Sequence, residues 1–207
     1  MTDVLDTTVG YLNLICGPMF AGKTSRLQEI YFSYQKQNIP VLVINYAEDQ
    51  LRYEGHTMLT SHDNVQIPCI TAYGLNDVIH LSNDVCAKQI SLEQFLSTPV
   101  ILINEGQFFP DCVSWVTLAV EKYNKRVYIA GLDGDFKKQP FGEENWLDLM
   151  SLCDQVTKLY AICHGCQEKN ALFSHRLSCE QSQKVIGVNN YVPLCRKCFN
   201  SKQFQLK

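Results

Sequence analysis

Nowhere in this 207-residue chain is there an apolar run near the ~18 residues that a membrane-crossing helix needs, so no membrane partner is expected. Clustered lysine and arginine are also missing. The 18 basic residues are scattered among 21 acidic ones, for a net charge of −3, whereas proteins that grip a phosphate backbone present a basic stripe; no nucleic-acid partner is expected. Met1 to Asp6 is acidic and has no apolar leader core, which gives the expectation of a soluble cytoplasmic protein. Repeats and low-complexity tracts are absent, and with 46 % apolar residues the composition is that of an ordinary globular chain. In a reducing compartment the ten cysteines do not read as disulfides, and the question becomes which of them are spaced to do something else.

The most informative segment is Gly17-Pro18-Met19-Phe20-Ala21-Gly22-Lys23-Thr24, which fits G-x-x-x-x-G-K-[ST] and follows the apolar run 11–16. Glycine at both ends lets the backbone curl until successive N–H groups face phosphate oxygens, with the next helix aiming its positive end at the same place. Lys23 is then placed for the β- and γ-phosphates of ATP, and the Thr24 hydroxyl for Mg²⁺. A helix from Lys23 to about Gln37 carries Leu27, Ile30, Tyr31 and Tyr34 on one face. Apolar runs of strand length at 41–46, 100–103 and 126–131, with helical stretches near 111–123, predict an α/β fold: a parallel sheet flanked by helices, of the P-loop kind, with ligands at the carboxyl ends of its strands. The polar segment 47–62 reads as a long loop.

The run 100–103 ends in Asn104-Glu105-Gly106-Gln107. P-loop proteins usually close such a strand with an Asp for Mg²⁺; Asn104 offers a carbonyl oxygen without charge. Glu105 is positioned to take a proton from an attacking hydroxyl, although a solvated strand-end carboxylate has the same sequence appearance. Phe108, Phe136 and Phe141 fall in loops on the expected ligand side and suggest a slot for a flat base.

Cys163-His-Gly-Cys166 and Cys195-Arg-Lys-Cys198 are two Cys-x-x-Cys pairs, the spacing of a structural zinc site with four thiolate ligands. His164 and Cys179 are read as bystanders. A metal staple suits a segment too small for a core of its own, and two domains are expected: 1–158 for nucleotide binding and 159–207 for a zinc unit whose intervening loop could lie over a neighbouring pocket.

Gly-Pro-Met-Phe-Ala-Gly-Lys-Thr, Asn-Glu-Gly-Gln-Phe-Phe-Pro, Leu-Asp-Gly-Asp-Phe and the paired cysteines, in this order, resemble the cytosolic-type thymidine kinases over roughly residues 10–200. The resemblance implies transfer of the γ-phosphoryl of ATP to the 5′-hydroxyl of thymidine or deoxyuridine for dTMP salvage, feedback binding of dTTP, and a homotetramer. By position it implies Glu105 as the catalytic base, and Lys23, Thr24, Asn104 and Gln107 with the glycine loop as the phosphate and metal groups. Met19, Asp49, Arg52, Phe108, Phe136, Phe141, Ser174, Arg176 and Tyr191 match nucleoside-site residues, the last two in a lasso loop closing over the base. The chain departs from the family pattern at Asn104, usually Asp, at Ser174, often Thr, and in a lasso one residue shorter. Asn104 leaves an alternative: a catalytically weakened nucleotide-binding homologue. A nucleic-acid ATPase with a zinc ribbon is a third reading, opposed by the lack of a basic face.

Overall fold

The computed structural model describes residues 8–48, 58–82, 86–142, 145–185 and 190–201. The N-terminal part runs β1 (Tyr11–Cys16), α1 (Lys23–Gln35), β2 (Val41–Tyr46), the short strands β3 (Met58–Thr60), β4 (Gln66–Pro68), β5 (Ile70–Ala72), β6 (Ile79–His80) and β7 (Cys86–Ala87), and α2 (Leu92–Ser97). There follow β8 (Val100–Asn104), α3 (Cys112–Thr117), β9 (Arg126–Gly131) and β10 (Gln155–Lys158). The C-terminal part holds β11 (Ala161–Ile162), β12 (Asn170–Ala171), β13 (Phe173–Arg176), β14 (Tyr191–Leu194) and α4 (Arg196–Ser201).

Six strands pair in the order β10-β1-β9-β8-β2-β5, and every pairing is parallel. The central strand β8 shows how the apolar runs produce this sheet. Its residues alternate between faces: Ile101 and Ile103 pack with Trp115, Val116 and Trp146 in one cluster, while Val100 and Leu102 pack with Leu27, Ile30 and Tyr34 of α1 in the other. A strand buried on both sides has no polar face to show, hence an unbroken apolar run in the sequence.

The loop expected over 47–62 is corrected at its far end, where β3 pairs antiparallel with β4. Leu59 and Ile67 are both fully buried in the α1-side cluster, and Gln28 of α1 donates to the carbonyls of Leu59 and Val65 at 3.1 and 2.9 Å. That anchorage holds a hairpin whose own residues are too few to advertise it. Asp49 and Arg52 lie outside the described residues. Among the described residues no helix is long and apolar enough to cross a membrane.

Candidate active site

The carboxyl ends of β1, β8 and β9 lie at one end of the sheet, and the loops that follow them line a cleft open to solvent. Its walls include Met19 to Ser25, Glu105, Phe108, Phe136, Phe141, Ser174 and Tyr191.

The glycine loop is shaped by backbone constraints. Gly17 has φ 153°, and a Cβ there would stand 2.4 Å from the carbonyl oxygen of Leu159; Gly22, at φ 78°, precedes α1. Phe20 also takes a left-handed conformation at φ 64° and faces the ring of His62 at 5.2 Å. The Lys23 ammonium donates to the Pro18 carbonyl at 2.8 Å, bracing the loop it belongs to. Thr24 Oγ1 donates to Asn104 Oδ1 at 3.4 Å, and Asn104 Nδ2 donates to Asn45 Oδ1 of β2 at 2.8 Å. Both asparagines are 2 % exposed, so the position where P-loop proteins usually carry a carboxylate is filled here by a neutral, hydrogen-bonded amide chain.

Glu105 stands at φ 59°, ψ 42°, a left-handed conformation that a residue with a side chain adopts only where the surroundings impose it. Its carboxylate accepts from Gln107 Nε2 at 2.5 Å, and the other end of the Gln107 amide accepts from the Leu132 backbone N–H at 2.9 Å. Gln107 is therefore turned toward Glu105, tying it to the β9 loop. Asp133 of that loop pairs with Lys158 at the end of β10. Burial alone would lower Lys158, yet the hydrogen bond and charge of Asp133 raise it; burial and the same aspartate raise the Cys16 thiol.

An aromatic corner forms the far end of the cleft. Phe108 and Phe141 meet edge to face at 5.7 Å, and Tyr46 lies 5.3 Å from Phe108. Arg176 does not line the cleft. It is 5 % exposed, its guanidinium lies 3.8 Å from the Phe136 ring centroid, and it donates to the carbonyls of Glu180, Ser182 and Gln183 and to the Tyr191 hydroxyl. Tyr191 in turn donates to the Val185 carbonyl at 3.2 Å. Arg176 thus shapes the stretch 180–185, whose residues Gln183, Lys184 and Val185 form part of the cleft wall. Ser174 accepts the Met19 N–H on its hydroxyl at 2.9 Å.

Sequence reasoning missed His62, Asp135, Gln183 and Lys184 among the lining residues, and Asn45 behind Asn104. Asp135 sits inside a quoted motif, so its neighbourhood was visible; the others belong to no pattern. Lys184 is raised, because Glu48 and Tyr46 outweigh the lowering effect of burial.

Cys163, Cys166, Cys195 and Cys198 bring their sulfurs within 4.8 Å of one another. Tetrahedral zinc at ~2.3 Å from each thiolate fits such a cluster. Burial pushes the Cys163 thiol up, but the backbone N–H groups of Cys195, Cys166 and Gly165 prevail and draw it down to about 6. The first pair occupies a turn, whereas the second spans the end of β14 and the first turn of α4. His164 and Cys179 are outside the cluster.

A family model described as Thymidine kinase matches residues 10–199. The chain is 37 % identical over 196 residues to a thymidine kinase of Yaba monkey tumor virus (strain VR587), covering 94 % of this chain and 97 % of that one. It is 38 % identical over 191 residues to the thymidine kinases of Variola virus and of Vaccinia virus (strain Western Reserve), in each case over 92 % of this chain and 97 % of the relative. With a six-stranded parallel sheet, a glycine loop and a four-cysteine cluster in the matched region, the chain belongs to the thymidine kinase family.

Proposed function

We propose that the protein transfers the γ-phosphoryl of ATP to the 5′-hydroxyl of thymidine or deoxyuridine. The observation that carries this reading is the convergence, in one cleft, of the glycine loop, the Glu105 carboxylate and the Phe108–Phe141 corner. An anionic tail belongs in the loop and a flat base in the corner, which leaves the sugar hydroxyl beside Glu105. Glu105 takes the hydroxyl proton as the phosphoryl group arrives; Gln107 holds the carboxylate so that no reorientation is needed at that moment. Lys23 and the loop N–H groups stabilise charge on the transferred group.

Mg²⁺, when bound, supplies further charge neutralisation, and Thr24 and Asn104, whose oxygens adjoin, are the residues to hold it. Zinc suits the four cysteines and would keep β13 and β14 in place. Because one cleft joins the base corner to the phosphate loop, a thymidine triphosphate spans both, and this supports dTTP as a feedback ligand. A homotetramer in the cytoplasm is proposed on the family resemblance, with light scattering as its test.

The neutral Thr24–Asn104–Asn45 chain favours a second reading, a nucleotide binder of feeble turnover. Incubating the purified protein with ATP, Mg²⁺ and each of four deoxynucleosides decides between them. Monophosphate formed from thymidine or deoxyuridine supports the kinase; its absence with all four supports the binder.

A further inference from the structure

Lys184 and Gln183 fasten one strip of chain to both sides of the cleft. Lys184 Nζ stands 2.7 Å from Glu48 Oε2 and donates to Tyr46 Oη at 2.8 Å, just past the end of β2. The same ammonium lies 4.2 Å from the Tyr46 ring centroid and 5.1 Å from that of Phe108. On the opposite side Gln183 Nε2 donates to Asp135 Oδ2 at 3.0 Å and to the Pro140 carbonyl at 2.7 Å, in the loop after β9. Arg176 grips the carbonyls behind them.

These attachments differ in kind. Gln183 reaches the buried Asp135 and the Pro140 carbonyl, while Arg176 grips carbonyls of the strip itself. Lys184 crosses to the β2 side, and its partner Tyr46 is 7 % exposed and locked in the sheet core, so it is a firm post. Glu48 adds a charge at the post. A nucleoside is uncharged, so base and sugar offer this ammonium no opposite charge, whereas Glu48 does.

On the reading that this cleft takes thymidine, we propose that Lys184 is a positioning residue: its ion pair with Glu48 latches the stretch 180–185 against Tyr46 and Phe108 and sets how long the nucleoside stays bound. Without the latch a smaller fraction of molecules presents the complete wall, and apparent affinity falls by that fraction. The pair is partly exposed, with side chains 29 % and 32 % accessible, so the effect is moderate.

The test uses the zinc-loaded full chain and compares thymidine binding, dissociation rate and kinetics for Glu48→Lys, Lys184→Glu and the double Glu48→Lys/Lys184→Glu. Each single variant is expected to raise the thymidine Kd about 5- to 20-fold, mainly through faster dissociation, with KM for ATP changed less than about twofold. The double variant rebuilds the pair in reverse and is expected to return to within about threefold of the parent. Singles without effect, a double no better than the singles, or a parallel rise in KM for ATP would overturn the latch. If a reversal variant fails to fold, Lys184→Met replaces it: the parent's thymidine Kd should climb with added salt and the variant's should not, and equal slopes would sink the proposal. A parent that binds no deoxynucleoside overturns the functional reading and the latch together. A parent that phosphorylates thymidine beside unaffected singles overturns the latch alone.

Discussion

Replacing Gly17 by alanine puts one methyl group where the structure has no room. The added Cβ would lie 2.4 Å from the Leu159 carbonyl oxygen and 3.1 Å from its carbonyl carbon. Ordinary contact begins at about 3.4 Å, so the loop or Leu159 must retreat by about 1 Å. Leu159 cannot easily yield: its N–H donates to the Cys16 carbonyl at 2.8 Å, holding it against β1. The displacement therefore falls on the glycine loop, which on the proposed reading holds the phosphates, and there an error of ~1 Å can cost ~10²-fold in rate. Strain at φ 153° and overpacking together should destabilise the fold by about 3–5 kcal/mol, or roughly 10 °C in Tm for a chain of this length. Gly22→Ala is the control. Its φ of 78° is equally unsuited to alanine, but nothing lies within 4 Å of the added carbon, so only about 1–2 kcal/mol of strain is expected. Thermal melts of both variants and kcat/KM for ATP of Gly17→Ala are the measurements. A Gly17→Ala protein as stable as Gly22→Ala, with kcat/KM for ATP near that of the parent, would refute the close-approach argument.

Glu105→Gln should lower kcat by about 10²- to 10⁴-fold while a fluorescent nucleoside still binds, and normal turnover would exclude the general-base role. Asn104→Asp places a carboxylate beside Thr24, and the Asn45 amide can turn to donate to it; the Mg²⁺ concentration for half-maximal rate should fall several-fold, and an unchanged value removes Asn104 from the metal site. Cys198→Ser removes one of four sulfurs; metal analysis should drop from one zinc per chain toward none, with loss of at least ~3 kcal/mol of stability, and full zinc retention would reject the four-thiolate site. Lys125 is buried and donates to the carbonyls of Phe95, Leu96 and Thr98 at 2.6, 3.1 and 2.9 Å, closing the end of α2. Lys125→Met should cost about 2–4 kcal/mol without changing kcat, because it sits at the end of the sheet away from the cleft; an unaltered melt would contradict this.

The parts of the fold that could be read from residues alone are those buried on two sides. β1, β2 and β9 begin and end where their apolar runs do. β10 was invisible: Gln155, Val156 and Lys158 are exposed on a strand at the sheet's edge, so no apolar run marks it. β14 contains Pro193, which argues against a strand unless its partner lies on one side only, as β13 does here. In the site, the glycine loop, Glu105 and the aromatic corner follow from local patterns with known chemistry. Gln107 matches a nucleotide-contact position by the family resemblance, and its hydrogen bond to Glu105 is a link that the pattern does not announce. Lys184 and Asn45 gain their meaning only from partners far along the chain, and no spacing rule reaches that distance.

The hydrogen bond from the Met19 N–H to the Ser174 hydroxyl ties the glycine loop to the β13–β14 hairpin, which runs on into Cys195 and Cys198 of the four-cysteine cluster. Removing metal from the cysteines should then be felt at a distance, as a rising KM for ATP before any loss of the sheet itself. On the proposed reading of the cleft, the C-terminal segment then acts as a tuning peg for the glycine loop.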